Sequence, residues 1–107
     1  MTLRPALLLL PLLALATPAR ADDLQLTIRD HKFEPARLEV PAGVKFKLIV
    51  KNADPTAEEF ESFDLHREKV VTGGGETPVF LGPLDKGEYK FFGDYHQDTA
   101  QGVLVAK

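Results

Sequence analysis

Residues 44–51, Val-Lys-Phe-Lys-Leu-Ile-Val-Lys, decide the fold class. Apolar side chains alternate with lysines here, with Ile49 as the one exception, and this period of two is typical of a half-buried strand. No stretch after residue 21 shows a sustained helical period. Shorter apolar patterns recur at 24–29, 38–40, 59–65, 70–71, 77–81, 89–92 and 103–106. We therefore predict an all-β fold of about seven short strands, arranged as an antiparallel sandwich or barrel.

The first 21 residues have a different character. Arg4 precedes a leucine-rich apolar run at 6–16, and Ala19-Arg20-Ala21 follows as a cleavage signal. This order predicts a secretory signal peptide at 1–21. The run is shorter than the roughly 20 residues that a spanning helix needs. We expect a periplasmic protein that is not membrane-embedded once mature, with one domain of 86 residues at 22–107.

Composition excludes several classes of function. The chain has no cysteine, which excludes disulfides, thiol chemistry and zinc–thiolate sites. Loss of Arg4 and Arg20 with the signal changes the formal charge from −3 to −5, and an acidic domain is a poor match for nucleic acid. Ser62 is the only serine, and it lies in a predicted strand outside any G-x-S-x-G turn, so serine hydrolase chemistry is not expected.

An acidic cluster is the first candidate site. Glu58, Glu59 and Glu61 lie within four residues, and strand alternation places Glu59 and Glu61 on one face with Phe60 opposite. Like charges on one face repel and destabilise the strand, and a bound cation would neutralise this repulsion. The alternative is a solvated strand edge whose charges pair with nearby Arg67 or Lys69.

The second candidate is Asp94 with His96, in the segment before the last strand. A carboxylate beside an imidazole suits first-row metals, although a lone histidine is more often a surface or hydrogen-bonded residue. His66 follows the acidic strand, either as a member of the site or as a loop residue. His31 lies in a polar turn, and we interpret it as a surface residue.

The order of these features resembles the cupredoxin-like family. The opening matches in F-x-P at 33–35, P-A-G at 41–43, the lysine-rich strand and K-N-x-D at 51–54. The segment from Gly87 through His96 to 102–105 matches the one that carries the C-terminal copper ligands of blue-copper members. Where that family has Cys, His and Met, this chain has Gly93 or Asp94, then His96, then Ala100 or Gln101. Glu58 or Glu59 stands at the family's first His.

This departure matters because a type 1 copper site needs a cysteine thiolate. The sequence therefore excludes ordinary blue-copper electron transfer. Four strings resemble the Cys-less periplasmic cupredoxin-like proteins of bacterial iron-uptake systems: E-E-F-E-S at 58–62, R-E-K-V-V at 67–71, G-P-L at 82–84 and F-F-G-D-Y-H at 91–96. The resemblance covers the whole chain after the signal, and it implies a Greek-key sandwich in which the candidate loops meet at one end.

The resemblance also implies a function, namely binding of an iron or copper ion as an accessory to high-affinity ferrous iron uptake. The expected ligands are Glu59, Glu61, Asp94 and His96, and further candidates are Glu58, Glu68 and His66. The expected partners are a membrane iron permease and a small periplasmic iron-binding protein. Two alternatives stay open: a copper-dependent ferroxidase, and a metal-free interaction module on a degenerate cupredoxin scaffold. A single site in 86 residues has little room for a multi-copper centre, which favours binding over catalysis.

Overall fold

The computed structural model describes residues 24–107, so the predicted signal peptide lies outside the described residues. The all-β prediction is confirmed. No helix in this part of the chain is long and apolar enough to cross a membrane. The elements are β1 (Leu24–Arg29), β2 (Lys32–Glu34), β3 (Arg37–Val40), β4 (Phe46–Asn52), β5 (Glu58–Ser62), β6 (Arg67–Val71), β7 (Glu76–Leu81), β8 (Gly87–Gly93), a 3₁₀ turn (Asp94–His96) and β9 (Gln101–Ala106).

The strands form two sheets, ordered β2-β1-β4-β7 and β3-β9-β8-β5-β6. Both sheets are mixed, whereas the sequence pattern predicts antiparallel pairing. β1 runs parallel to β4, and β3 runs parallel to β9. The reason is topological, since β3 belongs to the second sheet and the chain must return to the first sheet beside β1.

The core lies between the sheets and follows the predicted alternation. β4 buries every second side chain, including Leu48 and Val50, while its lysines face outward. From the second sheet, Phe60 and Phe91 are fully buried, and Phe33 meets Phe91 edge to face at a centroid distance of 4.9 Å. Each such side chain contributes about 1.5–3 kcal/mol by leaving water. This packing fixes which side chains of β5 and β8 face inward.

One predicted strand is shorter than its pattern indicates. The alternation at 59–65 ends as a strand at Ser62, because the chain turns there and leads into β6. The Ser62 hydroxyl donates to the Lys90 carbonyl at 2.6 Å and accepts the Leu65 amide at 3.1 Å. His66 closes the turn with a left-handed φ of 54°. The only serine is therefore structural.

Candidate metal centre at one end of the sandwich

The candidate site lies where three connections meet. β1 ends at Arg29 and leads into a tight turn containing His31, β5 begins at Glu58, and β8 leads into the 3₁₀ turn with Asp94 and His96. Contacts between these connections place them at the same end. His31 stacks on His96, and the Glu58 carboxylate binds the 3₁₀ turn.

β5 divides its glutamates between two faces. Glu58, Phe60 and Ser62 are buried, while Glu59 and Glu61 point outward and are half-buried. The cause is Phe60, whose side chain lies in the core. Because side chains alternate along a strand, Glu58 and Ser62 point to the same inner side as Phe60. Glu59 and Glu61 therefore share a face, as alternation predicts, but the glutamate that points inward is Glu58, at 1% exposure.

The buried Glu58 carboxylate is fully satisfied by donors. Its Oε1 accepts the backbone N–H groups of Glu59 at 3.0 Å and of Tyr95 at 2.9 Å. Its Oε2 contacts Nδ1 of His96 at 2.5 Å. A buried charge is tolerated when such charge-assisted hydrogen bonds replace its hydration. Glu58 thereby joins β5 to the 3₁₀ turn and leaves Nε2 of His96 free of this contact.

Outside the core, Glu59, Glu61 and Asp94 form a carboxylate group. One oxygen from each lies within 4.8 Å of the others, and no histidine of the described residues joins this set. Loss of hydration raises the pKa of Glu59, and the neighbouring carboxylates of Glu61, Glu68 and Asp94 add to the rise. Three acids at such spacing repel one another, and a cation would neutralise that repulsion.

The remaining candidates have separate positions. Glu68 faces Glu61 across the β5–β6 pair, close enough for its charge to act on Glu59. His66 is exposed in the turn between these strands, and it lines a shallow depression with Glu61 and Glu68. Three of the four expected ligands are thus brought together, and the fourth, His96, is held by Glu58.

His31 is the residue that sequence reasoning placed on the surface. It is half-buried, and its ring stacks on that of His96 with centroids 3.5 Å apart and planes 13° apart. The Asp54 carboxylate accepts the backbone N–H groups of Asp30 at 2.8 Å and His31 at 3.0 Å. The Asp of K-N-x-D therefore shapes the histidine turn, a role that only the folded chain reveals.

Comparison with known proteins agrees with this fold. The cupredoxin-like domain family matches residues 5–106, and the chain belongs to that family. It is 53% identical over 83 residues to an uncharacterized protein of Rickettsia prowazekii (strain Madrid E). That match covers 78% of this chain and 66% of the relative, so the chain spans just under two thirds of the relative's length.

Solved structures that share the fold are distant in sequence. Auracyanin A, a blue copper protein from Chloroflexus aurantiacus, has a TM-score of 0.68 at 14% identity, covering 78% of this chain and 97% of its own. The purple cupredoxin of Nitrosopumilus maritimus has a TM-score of 0.64 at 18% identity, covering 79% and 100%. The metal-binding domain of the Cu(I)-exporting ATPase CopA from Streptococcus pneumoniae D39 has a TM-score of 0.66 at 14% identity, covering 78% and 83%.

The donors of this chain do not fit a type 1 copper centre. The sequence has no cysteine, and its single methionine is Met1. The side chains near the end of β8 are carboxylates and imidazoles, which suit hard and borderline ions and not Cu⁺. The fold is thus that of copper proteins, while the donor set is one of oxygen and nitrogen.

Proposed function

We propose that this protein is a periplasmic metal-binding accessory of ferrous iron uptake and that it holds iron through Glu59, Glu61 and Asp94. The observation that carries the proposal is the carboxylate group, whose three oxygens lie within 4.8 Å of one another. Membership of the cupredoxin-like family supports metal handling at this end of the sandwich. The iron pathway, the location and the partners rest on the sequence resemblance described above.

The chemistry of the group favours iron as cargo. Carboxylate oxygens are hard ligands, and three of them bring enough negative charge for a divalent or trivalent ion. All three residues are half-buried, so an ion would keep part of its coordination sphere open to water. Such a site exchanges ions readily, as a protein that passes iron to a membrane permease or to another periplasmic iron-binding protein requires.

The direct test is calorimetric titration of the purified protein with Fe²⁺ without oxygen, and with Mn²⁺ as an air-stable substitute. We expect Glu59→Gln and Glu61→Gln each to weaken binding by at least about tenfold, equal to about 1.4 kcal/mol, because each removes a charged ligand. Glu76→Gln is the matched control, since this exposed glutamate lies on β7 in the opposite sheet and is not a member of the group. A Kd no lower than about 1 mM for the unmodified protein, or equal affinity in all three variants, would contradict the proposal.

A further inference from the structure

A basic–aromatic patch lies at the start of β4, away from the candidate metal centre. It consists of one aromatic ring and three cations that line a single open depression, namely Phe80, Lys45, Lys47 and Arg67. Lys47 and Phe80 are register partners on the outer face of the β4–β7 pair, and Phe80 is 65% exposed. A large apolar ring is thus held in water among positive charges.

The cations of the patch carry charge that the fold does not neutralise. Nε of Arg67 donates to the Phe80 carbonyl at 3.1 Å, and its Nη1 donates to the His66 carbonyl at 3.0 Å. These neutral acceptors hold the guanidinium beside Phe80 and leave its charge unpaired. None of the ion pairs among residues 24–107 includes a member of the patch. The adjacent Glu68 points to the other side of β6, where it faces Glu61.

The positive patch and the negative carboxylate group lie on different sheets. Glu59 and Glu61 point outward from the second sheet, whereas Lys47 and Phe80 point outward from the first. Packed sheets are separated by about 10 Å. At physiological salt, exposed charges separated by more than about 8 Å are largely screened from one another. The patch can therefore attract an anionic surface although the domain as a whole is acidic.

The size of the patch favours a membrane surface over a folded protein. Stable protein–protein interfaces take about 20–30 residues from each partner, whereas the patch is four side chains around an open depression. A bilayer needs no matching contour, because its headgroups rearrange around the protein. Apolar rings insert at the boundary between headgroups and acyl chains, and lysine and arginine are attracted to anionic lipids. An exposed phenylalanine among unpaired cations combines both properties.

We infer that the basic–aromatic patch binds the surface of an anionic phospholipid membrane. Phe80 inserts among the headgroups, and the three cations of the patch contact the lipid phosphates through charge-assisted hydrogen bonds. In this orientation the outer face of the second sheet, with Glu59 and Glu61, faces away from the lipid. The inference goes beyond the proposed function and does not depend on metal binding, so either can fail alone.

Sedimentation of the purified protein with phosphatidylglycerol vesicles tests the inference, with phosphatidylcholine vesicles as the neutral comparison. We expect binding to phosphatidylglycerol that weakens from about 0.01 M to about 0.15 M salt, since the Debye length falls from about 30 Å to about 8 Å. Lys45→Gln and Lys47→Gln should each weaken binding about fivefold, the usual effect of one basic residue near anionic lipid. Lys90→Gln is the matched control, because this exposed lysine lies on β8 in the second sheet.

A tryptophan probe reports which face meets the lipid. The chain has no tryptophan, so Phe80→Trp places a single one in the patch. Its fluorescence should shift to shorter wavelength when phosphatidylglycerol vesicles are added, because the ring leaves water. Phe63→Trp is the matched control, since Phe63 is 71% exposed and follows β5 of the second sheet. Its emission should stay unchanged.

Several results would overturn the inference. It fails if the protein does not sediment with phosphatidylglycerol vesicles, if it binds both lipids equally, or if Lys90→Gln weakens binding as much as Lys47→Gln. A fluorescence shift for Phe63→Trp and none for Phe80→Trp would also overturn it. Sedimentation without vesicles would assign the patch to a second copy of the chain. Binding to polyglutamate and not to vesicles would assign it to an acidic protein, and either result excludes the lipid.

Discussion

Asp54 illustrates how one carboxylate organises the end of the sandwich that carries the candidate site. It is almost fully buried, and its own backbone N–H donates to the side-chain oxygen of Asn52 at 3.0 Å. The His31 backbone N–H is the main cause that lowers the pKa of Asp54; burial opposes the shift, and the Asp30 N–H adds to it. The ionised carboxylate is thus the form that the fold stabilises.

Asp54→Asn should therefore destabilise the protein in a pH-dependent way. A carboxyl group with a lowered folded-state pKa contributes stability above its unfolded pKa of about 3.8, and the contribution is lost as the pH falls through the lower folded value. At neutral pH we expect a loss of about 1.5–3 kcal/mol, the usual range for hydrogen bonds to a charged group. Urea unfolding at several pH values measures it. A difference between the two proteins that stays constant down to pH 2 would contradict this account.

At the scale of the element, the end of β8 packs closely against the start of β5. A Cβ added at Gly93 would lie 2.7 Å from the Ala100 Cβ and 2.7 Å from the Glu58 carboxyl carbon. Gly93 pairs with Phe60 in the β5–β8 register, and this pairing keeps the two strands from separating to accommodate a larger side chain. The absence of a side chain at position 93 is what lets Glu58 reach the 3₁₀ turn.

We expect Gly93→Ala to cost about 1–3 kcal/mol of unfolding free energy, since overpacking forces neighbouring atoms to shift. Adding Ala100→Gly should restore part of that loss, because it removes one of the two close contacts. Thermal unfolding of both single variants and the double variant gives their coupling energy. Strict additivity would show that the two positions do not share this contact.

Some elements were predictable and others were not, for physical reasons. Alternation predicted β4, β7 and β9 because each presents one face to a core. It extended β5 beyond Ser62, since the Leu65 side chain is buried from within a turn and continues the apolar period. The parallel partners of β1 and β3 depend on which sheet each strand joins, and no local pattern records that choice.

The site shows the same division. Alternation correctly placed Glu59 and Glu61 on one face of β5. Phe60 lies between them and points into the core, so both neighbours must point outward. The contact between His31 and His96 joins the two sheets across 65 positions of sequence, and the left-handed turn that permits it depends on Asp54. Residue types near position 31 carry no signal of that arrangement.

At the scale of the whole molecule, a small domain without disulfides depends on its core for stability, and any ligand of the folded state adds to it. A ligand that binds only the folded state adds about 2.7 kcal/mol at a free concentration of 100 times its Kd. For a domain of this size each kcal/mol raises Tm by about 4–8 °C. We expect Mn²⁺ to raise Tm in scanning calorimetry, and Glu59→Gln to remove most of the rise. Potassium chloride at equal ionic strength is the control, and an equal rise with it would reveal screening alone.

The position of β9 has a consequence for how the chain folds. β9 lies between β3 and β8, and among residues 24–107 it is the one strand of that sheet that pairs with β3. Residues 37–40 therefore pair with a strand more than 60 positions later in the sequence. Contacts so distant in sequence slow folding. In the second sheet, β3 and β8 are joined only by their pairing with residues 101–106. We therefore expect loss of β9 to separate β3 from the other strands of that sheet and to expose apolar side chains to water.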